Sequence, residues 1–238
     1  MVISLPDHLV VFAFAIVLPA FARYNYPRFK KAVESGVADA RSRQYRKTTV
    51  RQWALTLVAM AVWFRAGRSA EELGLGVPSG PRFWIGLLVA TALAILWRRM
   101  FQAAANDEAG RKRLMSQLNA VRPLLPSSAG ELRYFTVLSI TAGVCEEVLF
   151  RGYLIWYLAV YLGLPAAGVL SGVAFGLGHL YQGRRQAVKI IFLGLVFVLF
   201  YLGTGTLWIP MALHALLDAA QGRLAYGLLK KEASSSMG

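Results

Sequence analysis

The sequence predicts an all-α fold: a polytopic bundle of transmembrane helices with about seven spans, eight being the alternative. Three observations predict it. Of 238 residues, 57% are hydrophobic, more than an ordinary soluble domain carries. Apolar runs recur along the chain, several of them long enough to cross a bilayer. The formal net charge is +14, and its lysines and arginines sit mostly between those runs, the pattern that sets membrane topology.

The elements follow in order. Residues 9–22 are the first apolar run, extendable back to Val2. Asp7 and His8 stand before it in place of a basic region, so no cleavable signal peptide is expected. Residues 23–51 carry nine Lys/Arg against Glu34 and Asp39 and read as an amphipathic cytoplasmic segment. Residues 52–64 are the second run. Residues 65–82 form a turn-rich loop around G-L-G-V-P-S-G-P; its glycines follow no strand, so it is not a phosphate loop. Residues 83–97 are the third run. Residues 98–133 are basic again, with seven Lys/Arg against three acids, and L-L-P-S-S-A-G at 124–130 breaks them from the next helix. Residues 134–162 are apolar apart from a central Glu-Glu and Arg. Gly163 and Pro165 end that run, 165–181 carries His179, and 187–203 is plainly apolar. Residues 206–229 carry His214 and Asp218. The predicted organisation is N-terminal spans with basic segments over 1–133, a core over 134–229 and a short tail over 230–238 whose Ser-Ser-Ser stretch is expected to fray, all within one structural unit.

Charge counts the crossings. With 134–162 crossing once, the basic segments 23–51, 98–133, 184–185 and 230–231 all fall on one side, which favours seven spans, the N-terminus out and the C-terminus in. Twenty-nine residues make about 43 Å of straight helix against a ~30 Å hydrocarbon core. This segment is therefore expected to tilt, kink near Gly152 or lie partly in the interface. The expected location is the cytoplasmic membrane of a prokaryote, with anionic lipids against the basic side.

Composition excludes other classes. A basic soluble protein would suggest nucleic acid, but here the charge belongs to loops between apolar runs, and no nucleic-acid partner is expected. The lone Cys145 excludes an intrachain disulfide. With Glu146 beside it and no adjacent cation, it reads as packing rather than as a nucleophile.

The chemistry concentrates in A-G-V-C-E-E-V-L-F-R-G at 142–152 and in two later pairs at i, i+4, Phe175/His179 and His214/Asp218. Helical spacing puts Glu147 and Arg151 on one face, near enough to pair, and turns Glu146 about 100° away. Ionisable groups inside apolar helices are costly and usually face a bundle interior or a watery cavity. A carboxylate and an imidazole can hold and deprotonate a water, and a second imidazole with a polar partner can stabilise an oxyanion. Taken singly, the Glu147–Arg151 pair, Phe175, and a buried histidine at 179 or 214 all have purely structural readings. Together their desolvation is most readily explained by function.

E-E-V-L-F-R (146–151), F-G-L-G-H (175–179) and H-A-L-L-D (214–218) resemble, in order, the EExxxR, FxxxH and HxxxN/D motifs of the CPBP family. This group contains the type 2 CAAX prenyl proteases, the Abi proteins and the glutamic-type intramembrane proteases. The resemblance spans roughly residues 132–223. It implies an intramembrane endopeptidase cutting a membrane-anchored protein or peptide, near its C-terminus or membrane anchor. Glu146 and His179 would activate water, and His214 and residue 218 would stabilise the tetrahedral intermediate. Glu147 and Arg151 would hold the helices by charge pairing, with Phe175 lining or packing the pocket. Position 218 is Asp where characterised prenyl proteases have Asn. An ionised Asp cannot donate a hydrogen bond, so Asp218 is either protonated, an orienter of His214, or no part of an oxyanion hole.

The expected chemistry is metal-free. The alternative is zinc held by Glu146, His179, His214 and Asp218, a plausible nitrogen and oxygen set without the HExxH signature. Two other function classes stay open: a catalytically inactive immunity or scaffold protein on the same fold, and a proton-coupled transporter.

Overall fold

The computed structural model describes residues 3–119 and 121–235. Among the described residues the chain is mostly helical and forms no strand. Ten α-helices run in the order α1 (Leu5–Phe12), α2 (Leu18–Glu34), α3 (Ala40–Arg65), α4 (Gly80–Asn106), α5 (Glu108–Asn119), α6 (Ala129–Glu147), α7 (Ile155–Leu162), α8 (Leu164–Leu177), α9 (Arg184–Thr204) and α10 (Trp208–Ser235). Two junctions are π-helical rather than broken. Ala13–Val17 joins α1 to α2 just ahead of Pro19, which has no N–H to donate, and Val148–Leu154 joins α6 to α7.

Long-range hydrogen bonds define two ends. At one, Arg41 donates to Pro123 O, Lys189 to Gln117 and Arg122 to Glu232. At the other, Leu207 N donates to Gly74 O and Arg68 grips Asp7. Between these ends the described helices run back and forth, and α5 packs at the first end, where Leu114 and Leu118 share a buried cluster with Ala225 and Leu228 of α10. The predicted basic segments gather at that first end, while Arg65, Arg68 and Arg82 belong to the other. By length and composition three helices can cross a membrane, Leu5–Glu34, Gly80–Asn106 and Arg184–Thr204, and Leu164–Leu177 is a shorter apolar helix. Large apolar side chains such as Phe12, Leu88, Phe192 and Leu199 point outward, as they do where lipid replaces water.

The boundaries shift from the sequence expectations in instructive places. Asp7, which in the sequence marks only the absence of a basic region, is fully buried. Arg68 binds its two oxygens at 2.7 and 2.8 Å, Tyr153 donates to it at 2.5 Å, and Ser4 caps the helix through it. The final helix continues to Ser235, so 230–235 extend α10 instead of forming a separate tail; 236–238 and Met1–Val2 lie outside the described residues. The expected distortion near Gly152 is the π segment itself. A Cβ at Gly152 would lie 3.0–3.1 Å from Leu73, and Ser171 Oγ donates to Phe150 O at 2.7 Å, satisfying a carbonyl of the widened turn.

Close packing fixes the later helices. Gly168, Gly172 and Gly176 face α9, where added Cβ atoms would meet Val198, Leu195 and Ile191 at 2.8, 2.7 and 2.2 Å. Small residues at this spacing let membrane helices touch backbone to side chain. Gly143 brings α6 against α10 in the same way, its Cβ position 2.7 Å from Met211 O. An aromatic chain of Phe14, Phe150 and Phe175, with Trp63, Tyr153 and Trp156 beside it, ties the α1–α2 junction, α3, the α6–α7 segment and α8 together.

Candidate active site

The site is built from the outer face of the π segment inward. Glu146 and Glu147 end α6, so the two carboxylates leave the helix in different directions. Glu147 turns into the core. It and Arg151 are both 0% exposed, with Arg151 Nη1 3.0 Å from Glu147 Oε1. Arg151 Nη2 donates to Gly194 O at 3.0 Å. Its guanidinium lies 4.3 Å from the Phe175 ring centroid and 5.3 Å from that of Phe197. A buried cation needs this many partners to be tolerated.

The oxygen that takes Arg151 also takes His214. His214 Nδ1 lies 2.8 Å from Glu147 Oε1. An ionised carboxylate only accepts, so Nδ1 carries the proton. The ring stacks on Phe197 at 5.3 Å and meets Phe175 edge-on at 5.8 Å. Nε2 is thereby aimed at Glu146 and Asp218, with Glu146 Oε2 at 3.9 Å and Asp218 Oδ2 at 3.7 Å. Both distances exceed a hydrogen bond. The side-chain exposures are 0% for Glu147, 5% for His214, 17% for Glu146 and 37% for Asp218. Glu147 and Arg151 are thus closed to a substrate, whereas Glu146 and Asp218 reach accessible space.

His179 lies just beyond α8, at the start of the short turn Leu180–Gln182. Its Nδ1 donates to Phe175 O at 2.8 Å, leaving Nε2 as the acceptor, and the ring stacks on Tyr181 at 6.1 Å. It shares the Phe175 ring with His214, the ring centroids lying 5.0 and 5.8 Å from that of Phe175. Phe175 touches His179, His214 and Arg151 together.

All seven residues singled out from sequence therefore lie in one neighbourhood. The expected pair Glu147–Arg151 is present, but Glu147 also orients His214, a link that spacing along one helix cannot reveal. Sequence reasoning passed over Phe197, Gly194 and Gln52, whose Nε2 donates to Glu146 Oε1 at 2.5 Å. Phe197 and Gly194 have no signal within an apolar run, and Gln52 looks like a run boundary. The zinc alternative requires Glu146, His179, His214 and Asp218 to converge as ligands. Among the described residues no group of three or more His, Cys, Asp or Glu side chains is already drawn together as metal ligands.

Residues 128–220 match the model of the Rce1-like family, described as type II CAAX prenyl endopeptidase Rce1-like. The match supports assigning this segment to the CPBP, or CAAX protease, family. The matched segment contains every polar residue of the site except Gln52 and leaves α1–α5 outside it. No curated protein and no solved structure matches the chain. CAAX-type proteases are intramembrane endopeptidases acting on membrane-anchored proteins. That class and the apolar helices make this chain a membrane protein of the same general kind.

Proposed function

We propose that this CAAX-type protease works by a glutamate mechanism, without a metal ion, on a membrane-anchored protein or peptide cut near its C-terminus. Glu146, assisted by His179 Nε2, takes a proton from water, whose oxygen attacks the scissile carbonyl carbon. Protonated His214 donates Nε2–H to the resulting oxyanion, and Asp218 holds that ring in place. The carbon–nitrogen bond then breaks, and the proton held by Glu146 passes to the leaving amine. The observation that carries this reading is the Nδ1 bond from His214 to Glu147, which commits one ring nitrogen to the core and leaves the other facing Glu146 and Asp218. An inactive scaffold or a proton relay has no need of an imidazole so oriented beside an accessible carboxylate.

The proposed topology is seven crossings in the cytoplasmic membrane of a prokaryote. The basic end and the C-terminus would face the cytoplasm and its anionic lipids, and the N-terminus would lie outside. The mechanism is tested with a farnesylated C-a-a-X peptide bearing a fluorophore and quencher across the scissile bond. Glu146→Gln, His179→Ala and His214→Ala are each expected to lose about 10²–10⁴ in rate while remaining folded. Near-wild-type cleavage by any two of them rules the mechanism out.

A further inference from the structure

Glu146 has a partner that belongs to none of the three motifs. Gln52 sits on α3, outside the matched segment 128–220. The helix turns Tyr45, Gln52, Thr56, Ala59 and Trp63 inward, a stripe at helical spacing. Trp53 Nε1 donates to Thr141 Oγ1 at 3.2 Å. That bond fixes α3 against α6 and brings Gln52 to Glu146, where its Nε2 donates to Oε1 at 2.5 Å. The amide's orientation follows from chemistry, because an ionised carboxylate offers only acceptors. Gln52 is 7% exposed, and its Oε1 is buried with no hydrogen-bond partner among the described residues. A buried amide satisfied at one end only is unfavourable, and methionine or leucine would fill the same stripe without that cost. The residue is therefore explained by its contact with Glu146 rather than by packing.

We propose that Gln52 is a positioning residue for the reaction: it holds one oxygen of Glu146, so that the other, Oε2, faces His214 and takes the proton from water. This rests on the reading of Glu146 as the base. The two oxygens are already unequal in the structure, Oε1 bound to Gln52 and Oε2 3.9 Å from His214 Nε2. A carboxylate free to rotate would present either oxygen to the water and lose alignment.

The test uses the full chain in phospholipid vesicles, the farnesylated C-a-a-X peptide as probe, and Gln52→Met, which keeps the volume and removes the donor. The expected result is a kcat lower by about tenfold to a hundredfold, the size of a lost charge-assisted hydrogen bond, with KM and thermal midpoint unchanged. A lowered thermal midpoint with kcat per folded molecule unchanged overturns the proposal. An infrared readout stands apart from hydrolysis. The carboxylate bands of Glu146, identified by their loss in Glu146→Gln, are expected to shift in Gln52→Met, and unshifted bands overturn the proposal. If the wild type leaves the peptide uncut, the reading of this chain as a prenyl-substrate protease fails, and the infrared result still decides on Gln52. Should the variant not fold, dipolar coupling between 15Nε2-glutamine and 13Cδ-glutamate is measured in the wild type. Loss of a coupling in Glu146→Ala supports the contact, and an identical spectrum refutes it.

Discussion

His214 and Arg151, on different helices, share one oxygen of Glu147: His214 Nδ1 lies 2.8 Å and Arg151 Nη1 3.0 Å from Glu147 Oε1. The pair that locks the π segment is thus also the pair that aims the imidazole. Glu147→Ala is expected to destabilise the protein by roughly 3–5 kcal/mol, because it strands a buried guanidinium. Glu147→Gln keeps an acceptor for both donors and is expected to fold while losing activity through a mis-set His214. Thermal unfolding in detergent, measured beside cleavage rate, separates the two effects. Equal stability of the alanine and wild-type proteins would contradict the shared-oxygen account.

Arg151→Ala is expected to damage folding as well as rate, by a similar ~3–5 kcal/mol, since Glu147 is then left as a buried charge held by His214 alone. Loss of the guanidinium also removes the bond to Gly194 O and the cation over Phe175. The idea fails if the variant purifies with unchanged thermal stability and only its rate drops.

Asp218 faces His214 at 3.7 Å, and its side chain is 37% exposed against 17% for Glu146 and 5% for His214. If it holds His214 rather than donating to the oxyanion, Asp218→Asn preserves that contact in neutral form and is expected to keep activity within about tenfold. Asp218→Ala is expected to lose about 10²-fold or more. Steady-state rates of the two variants decide it; equal losses would remove Asp218 from the chemistry.

Metal content is checked directly. Active protein is expected to carry no stoichiometric zinc and to tolerate chelator. One zinc per chain, with activity lost on chelation and restored by zinc, would replace Glu146's role as sole base with that of a ligand or a base beside a bound water of pKa about 7.

The helical class, the basic end and the three polar stretches were legible from the residues alone, because each is local. Apolar runs show themselves by length, the basic end by where lysine and arginine collect, and Glu147–Arg151 by a spacing of four. The family resemblance carried the order of the motifs, and the matched segment 128–220 agrees with it. Even the stress point near Gly152 was visible as a segment too long for one straight crossing, though the form it takes was not. Widening to a π-helix depends on Leu73 pressing on Gly152 and on Ser171 reaching Phe150 O, both distant in sequence.

By itself, then, the sequence determined which side chains are costly enough to demand a use, and on which helices they lie. Only the tertiary structure decided which groups meet across helices. It joined His214 to Glu147, placed Gly194 and Phe197 around Arg151, buried Asp7 under Arg68 and Tyr153, and set Gln52 against Glu146. The physical reason is that periodicity reports which face of a helix is apolar but not its rotation or height against a neighbour. Those are set by the glycine contacts of α8 on α9 and α6 on α10, and by the Trp53–Thr141 bond between α3 and α6.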